Sequence, residues 1–247
     1  NVGAANDLQT VGRGDTFATL VGEDGFGDVL STFEVRAEDS QSAFNALLEG
    51  TADIALSSRR ITPDEVRALR DLGAGNMVSP DQEHIIGVDS LIVITHPDNP
   101  VDVLTMQQLA DIYAGRITNW SQVGGEDAPI TVMQRREGTG TRDVFVDRVF
   151  GGEDPRLLWS VLVRDSGQMA GLINGNRNAI GYVGYAFQRG AKPVTLIDDC
   201  GLTMTPDAFS ARTEEYALQR RLYLYNKDDL ANDMASELIN FSTSPDA

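Results

Sequence analysis

The sequence is poor in the residues that open the commonest chemistries. Cys200 is its only cysteine, so neither an internal disulfide nor a thiolate metal cluster can form. His84 and His96 are its only histidines, too few and too differently placed for a zinc site. No run approaches the ~18 apolar residues that span a bilayer. The phosphate-loop pattern Gly-x-x-x-x-Gly-Lys-Ser/Thr is missing, as are a His/Asp metal cluster and the Gly-x-Ser-x-Gly nucleophile turn. Asp24 to Asp28 lacks the ligand spacing of a calcium loop, and Asp198-Asp199 reads as a solvated turn after a strand. Basic residues are also short. Twenty Lys and Arg face 37 Asp and Glu, a formal net charge of −17, which argues against nucleic acid or an acidic membrane surface as partner.

The acidity does not exclude a small anion. Screening limits a diffuse surface field to about 8 Å at physiological ionic strength. Charge-assisted hydrogen bonds at contact distance outweigh it, and the field mainly slows capture at low salt.

What is present reads as an ordinary globular chain of 247 residues, 41% hydrophobic and 23% charged, long enough for one large domain or two smaller ones. It opens at Asn1 without a methionine or a basic-then-apolar leader, as expected of a processed product whose export signal has gone. Ser242 to Ala247 reads as a trimmed linker. Strands and helices alternate, which favours an α/β architecture. Ala52 to Leu56 and Ile85 to Thr95 read as buried strands; Ile130 to Met133, Ile180 to Val183, Val194 to Ile197 and Leu222 to Tyr225 add shorter ones. Thr62-Pro63-Asp64-Glu65 is a capping box opening a helix to about Leu72, and Thr105-Met106-Gln107-Gln108 opens another to Tyr113. A last helix is expected from about Asp228, with Leu230, Met234, Leu238 and Ile239 on its inner face and Phe241 near its end. No repeat, low-complexity stretch or flexible linker divides the chain. Two domains would therefore be joined by crossing strands: Ile85 to Thr95 outward, and Gly181 to Lys192 in return.

The most informative segment is Arg135-Arg136-Glu137-Gly138-Thr139-Gly140-Thr141-Arg142-Asp143-Val144-Phe145. Its glycines let backbone approach a ligand closely, its threonines add hydroxyls, and the apolar run from Val144 to Phe150 reads as a helix. Free N–H groups and the positive end of the helix dipole make such a turn a ready anion site. A Gly-rich loop that merely caps a helix is the plain alternative, and the flanking arginines count against it. Three further turns could face this one. Gly12-Arg13-Gly14-Asp15-Thr16-Phe17 reads as a second Gly-rich entry into a helix or as an ordinary loop. Ser40-Gln41-Ser42 precedes a helix that Ser40 would cap. Ser57-Ser58-Arg59-Arg60 follows a strand end, where ligands sit in open α/β sheets; its arginines read equally as solvated charges.

These motifs, in this order, resemble the phosphate-binding proteins of bacterial ABC phosphate importers, two-lobed periplasmic receptors. The resemblance runs from Gly14-Asp15-Thr16-Phe17 through Ala52 to Arg59, Gly87 to Ile94, Thr105 to Trp120, Arg135 to Phe145 and Ile180 to Val183 to Tyr216–Tyr225. It implies an α/β, periplasmic-binding-protein-like fold with a ligand cleft between lobes, lobe 1 from residues 1–88 and 190–247 and lobe 2 from 89–189. It implies a binding protein, not an enzyme, that captures inorganic phosphate without metal or cofactor. As ligand-binding residues it implies Thr16, Phe17 (backbone amide), Ser40, Ser58, Arg135, Thr139, Gly140 and Thr141, with Arg142 a direct or indirect partner. Arg136 is the neighbour that competes with Arg135 for the role.

One departure matters. Many members carry an aspartate where this chain has Ser58, a carboxylate that accepts the proton of hydrogen phosphate and repels sulfate. Others carry Ser-Ser-Arg, so the proton acceptor stays open among Asp15, Glu137 and Asp143. The resemblance further implies a monomer in the periplasm or another extracytoplasmic space, handing phosphate to an ABC permease or an envelope-anchored assembly. The alternatives are a receptor for sulfate or molybdate and a phosphatase-type enzyme on the same anion cradle.

Overall fold

The computed structural model describes residues 8–13, 17–23, 29–36, 39–155, 159–207, 209–210, 216–228 and 233–244. Along them run β1 (Leu8–Arg13), β2 (Phe17–Glu23), β3 (Val29–Arg36), α1 (Ser40–Glu49), β4 (Ile54–Ser57), α2 (Pro63–Asp71), β5 (Glu83–Thr95), β6 (Val103–Thr105), α3 (Met106–Tyr113), β7 (Thr131–Arg135), α4 (Gly140–Phe150), β8 (Val161–Val163), α5 (Ser166–Asn174), β9 (Ala179–Gly184), β10 (Lys192–Pro193), β11 (Thr195–Ile197), β12 (Thr203–Met204), β13 (Gln219–Asn226) and α6 (Asp233–Ser242).

The main sheet runs in the order β4-β13-β5-β9-β7-β8, with β10 also on β5. Its organising strand is β5. The first half pairs antiparallel with β13, Glu83 to Ser90 against Tyr225 to Gln219; the second half pairs antiparallel with β9, Leu91 to Thr95 against Gly184 to Ile180. Burial changes at the same point, from partly covered residues to the fully buried run Ser90 to Thr95. The Ile85–Thr95 strand expected to cross between domains thus belongs to both halves of one sheet.

Two apolar clusters sit on either side of that change. The smaller gathers Phe44 and Leu47 of α1, Ala55 of β4, Ile61, Leu69 of α2, Ala74, Met77 and Tyr225. The larger is built around Leu91 to Ile94, Leu109, Ile112, Tyr113, Phe145, Met169, Ile180 and Tyr182. It continues past residue 190, taking in Ala191, Val194, Leu196, Met204, Tyr216 and Leu218. In the Gly181–Lys192 stretch, expected to make the return crossing, β9 and β10 both pair with β5.

Local signals set the helix starts. Both capping boxes form as read, Thr62 with Glu65 and Thr105 with Gln108. Two expectations need correction. Ser40 is not a cap: Asp39 is, its carboxylate accepting from Ser42 N at 2.8 Å, while Ser40 is the first helical residue. A carboxylate suits the positive helix end better than a hydroxyl. The run after Phe17 is β2, not a helix, in a separate antiparallel sheet β1-β2-β3. The alternation in Val29–Arg36 supplies a strand partner, and pairing overrides the helical look of Phe-Ala-Thr-Leu. In α6, Ala235 and Ile239 turn inward while Leu238 and Phe241 stay exposed; Leu230 lies outside the described residues.

Candidate anion-binding site

The Gly/Thr segment straddles the end of β7 and the start of α4. Thr139 is the helix cap; its hydroxyl accepts from Arg142 N at 3.3 Å and donates to Arg136 O at 2.8 Å. This leaves Gly140 and Thr141 as the first two helical residues, whose N–H groups have no partner within the helix. Aromatic packing fixes the helix on the sheet: Phe145 stacks on Tyr182 with centroids 3.9 Å apart, and Tyr113 packs against both rings.

The same helix end meets the smaller cluster. Ser58 N donates to Ser40 Oγ at 3.2 Å, and the two hydroxyls stand 3.5 Å apart. A Cβ added to Gly140 would lie 2.3 Å from Ser58 Oγ and 2.4 Å from Ser40 Oγ, so only glycine permits this approach. Gly138, at φ +80°, passes equally close to Gln41. The N-termini of α1 and α4 therefore converge on one spot with two serine hydroxyls between them.

Arg135 supplies the charge. It is buried, whereas Arg136 beside it is exposed, which separates the two neighbours that the sequence left ambiguous. Arg135 Nη1 donates to Ser166 Oγ at 3.3 Å, at the start of α5, while Nε has no hydrogen-bond partner among the described residues. No carboxylate among the described residues forms an ion pair with it. Burial draws its guanidinium below the ordinary arginine value, with Arg220 adding like charge and Tyr182, Asp165 and Asp39 opposing. An arginine stays protonated at neutral pH, so this is a buried cation.

Two neighbouring arginines are committed. Arg142 Nη2 meets Asp154 at 2.7 Å and its Nη1 holds Arg135 O at 2.9 Å, which braces the turn. Arg59 is gripped through both terminal nitrogens by Glu65 at 2.7 and 2.8 Å and reaches Asp143 of α4 with Nε at 2.8 Å. Burial pushes the Asp143 carboxyl up despite Arg59. Of the carboxylates weighed as proton acceptor, Asp143 is thus taken by Arg59, Glu137 is exposed and Asp15 lies outside the described residues.

The structure brings together Ser40, Ser58, Arg135, Thr139, Gly140 and Thr141, with Arg142 behind them. Phe17 opens β2 with its backbone paired opposite Arg36; its side chain, like Thr16, lies outside what the structure describes. Sequence reading missed Ser166 and Arg220. The first had a signal, since Asp165 followed by Gln168 is a capping pattern that places Ser166 at a helix start. Arg220 had none, because Gln-Arg-Arg before a strand reads as surface.

Among the described residues Arg135 is a buried cation without a carboxylate counter-ion, and it lies where two α/β cores meet. The class is that of the two-lobed solute-binding proteins. The chain belongs to the PBP superfamily, whose domain profile matches residues 14–246. Among curated proteins it is 25% identical over 214 residues to the phosphate-binding protein PstS of Borreliella burgdorferi, covering 84% of this chain and 73% of that one. It is 29% identical over 209 residues to the PstS of Staphylococcus epidermidis, covering 81% of this chain and 62% of the relative. Among solved structures, one from Clostridium perfringens, described as a phosphate ABC transporter substrate-binding protein with bound phosphate, superposes with a TM-score of 0.73 at 29% identity, over 85% of this chain and 80% of that one.

Proposed function

We propose that this chain is a solute-binding protein that captures inorganic phosphate between its two lobes and delivers it for ABC import, a binding function without turnover. The observation that carries the reading is Arg135, a buried cation whose Nε has no partner among the described residues, beside two facing helix N-termini. Phosphate supplies the oxygens these donors lack, and donors fixed in advance replace its hydration shell at small reorganisation cost. The relatives named for phosphate, and the similar structure with phosphate bound, support this choice among oxyanions.

Within the site, Arg135, the Gly140 and Thr141 amides, and the hydroxyls of Ser40, Ser58 and Thr141 contact the anion. Thr139 and Arg142 hold the loop. One lobe is built on the Phe44–Tyr225 cluster and the other on residues 91 to 218, supported by the division of the two cores. The chain works as a monomer outside the cytoplasm, with a membrane permease or an envelope-anchored assembly as its partner. Among the described residues no helix is long and apolar enough to cross a membrane.

Isothermal titration calorimetry on phosphate-stripped protein tests the reading. Phosphate should bind at one site, with sulfate weaker. Equal or tighter sulfate binding would assign Ser58 to a different oxyanion, and absence of heat with phosphate would overturn the proposal.

A further inference from the structure

Arg220 stands at the point where the two halves of the main sheet meet. Its cross-strand neighbour is Asp89, one register pair before the last that β13 makes with β5, Gln219 with Ser90. Nε and Nη2 both reach Asp89 Oδ2, at 2.9 and 2.5 Å. Gly184 at the end of β9 leaves room for this pair, since a Cβ there would sit 3.0 Å from both Arg220 Nη2 and Asp89 Oδ2. The remaining nitrogen leaves the strand pair altogether: Nη1 donates to Thr141 Oγ1 at 2.8 Å.

That bond decides what the Thr141 hydroxyl can do. A hydroxyl has one proton and two lone pairs. With a guanidinium N–H occupying one lone pair, the proton turns away from Arg220. Thr141 is buried, and among the described residues no acceptor takes that proton. A buried donor without an acceptor is costly unless a ligand provides one.

We propose that Arg220 is a positioning residue for anion capture, acting through Thr141. It turns the Thr141 hydroxyl into an obligate donor aimed at the ligand and ties the start of α4 to the strands joining the lobes. The inference rests on the phosphate reading above and adds to it a residue outside the Gly/Thr loop. A lysine cannot replace Arg220, because one ammonium on a flexible stem does not hold Asp89 and Thr141 in one rigid fork.

A double-mutant cycle, read by calorimetry with inorganic phosphate, tests it. Arg220→Gln and Arg220→Lys should each weaken phosphate binding about ten- to hundredfold in the Thr141 background. In the Thr141→Val background the same changes should cost less than about threefold, because the group through which they act is gone. Thr141→Ser should restore both the affinity and the sensitivity to Arg220. Arg220→Lys, which keeps the charge beside Asp89, carries the cycle if the glutamine variant does not fold. An equal loss in both backgrounds would make Arg220 a structural brace and overturn the inference, as would wild-type affinity in Arg220→Lys. If the unmutated protein gives no heat with phosphate, the phosphate reading itself fails and this inference falls with it.

Discussion

Arg135 and Arg142 are both buried on one short loop, yet their removal should have opposite consequences. Arg142 already faces a carboxylate, so Arg142→Met breaks its ion pair with Asp154 and its bond to Arg135 O. Arg135 faces none among the described residues, so Arg135→Met removes an uncompensated charge and spares the ligand-free protein a desolvation penalty. Calorimetry should show Arg135→Met losing phosphate affinity by at least about a hundredfold, the scale of a lost charge-assisted contact. Its ligand-free melting temperature should stay equal or rise. Arg142→Met should instead lower stability by roughly 1–3 kcal/mol, read by denaturant unfolding without ligand. A fall in ligand-free stability for Arg135→Met would mean that a hidden partner neutralises it. The sequence could list these arginines but not rank them. The Arg-x-x-Gly-Thr-Gly-Thr-Arg spacing shows donors near a helix start, whereas which guanidinium is paired depends on the fold-back of Asp154 onto Arg142, which the spacing does not show.

The α4 helix shows what a single element contributes and how much of it is local. Its cap, its glycines and its apolar face are all adjacent in sequence, which is why the helix start was legible. The capping boxes at Thr62 and Thr105 were legible for the same reason. Elements whose identity rests on distant pairing were not. Phe17–Glu23 becomes a strand through Val29–Arg36, and Ser40 yields the cap to Asp39 while its hydroxyl turns to Ser58. Gly140 permits a sharp test of the element's role. Its φ is compatible with other residues, and alanine at the first helical turn is no burden on α4. The added methyl, however, would overlap Ser40 and Ser58 across the junction of the two cores. Gly140→Ala should therefore force the helix end away from the two serines and weaken phosphate binding by at least about tenfold, read by calorimetry, while denaturant unfolding without ligand reads the cost of that shift. Unfolding of the variant without ligand would show instead that the helix end is packed there permanently.

At the scale of the molecule, the two cores are joined by strands and also by an ion pair. Arg59 lies over the Phe44 ring of the smaller core, 5.2 Å from its centroid, while Asp143 rides on α4, which packs into the larger one. Glu65 holds Arg59 independently, so removing Asp143 leaves no orphaned cation and should cost little stability. The pair matters only while the cores are apposed, so it should slow ligand release rather than speed capture. A partly buried pair whose arginine keeps a second carboxylate is worth about 0.5–1 kcal/mol, which corresponds to roughly a two- to fivefold change in rate. Stopped-flow measurement of phosphate binding to Asp143→Ala should show dissociation faster by about that factor and association changed by less than about twofold. High salt should shrink the difference, since the Debye length falls to about 3 Å at 1 M. A slower association with unchanged dissociation would contradict this, because it would place the contribution of Asp143 in the encounter. There its negative charge, in a chain of net charge −17, ought to hinder an anion and not help it.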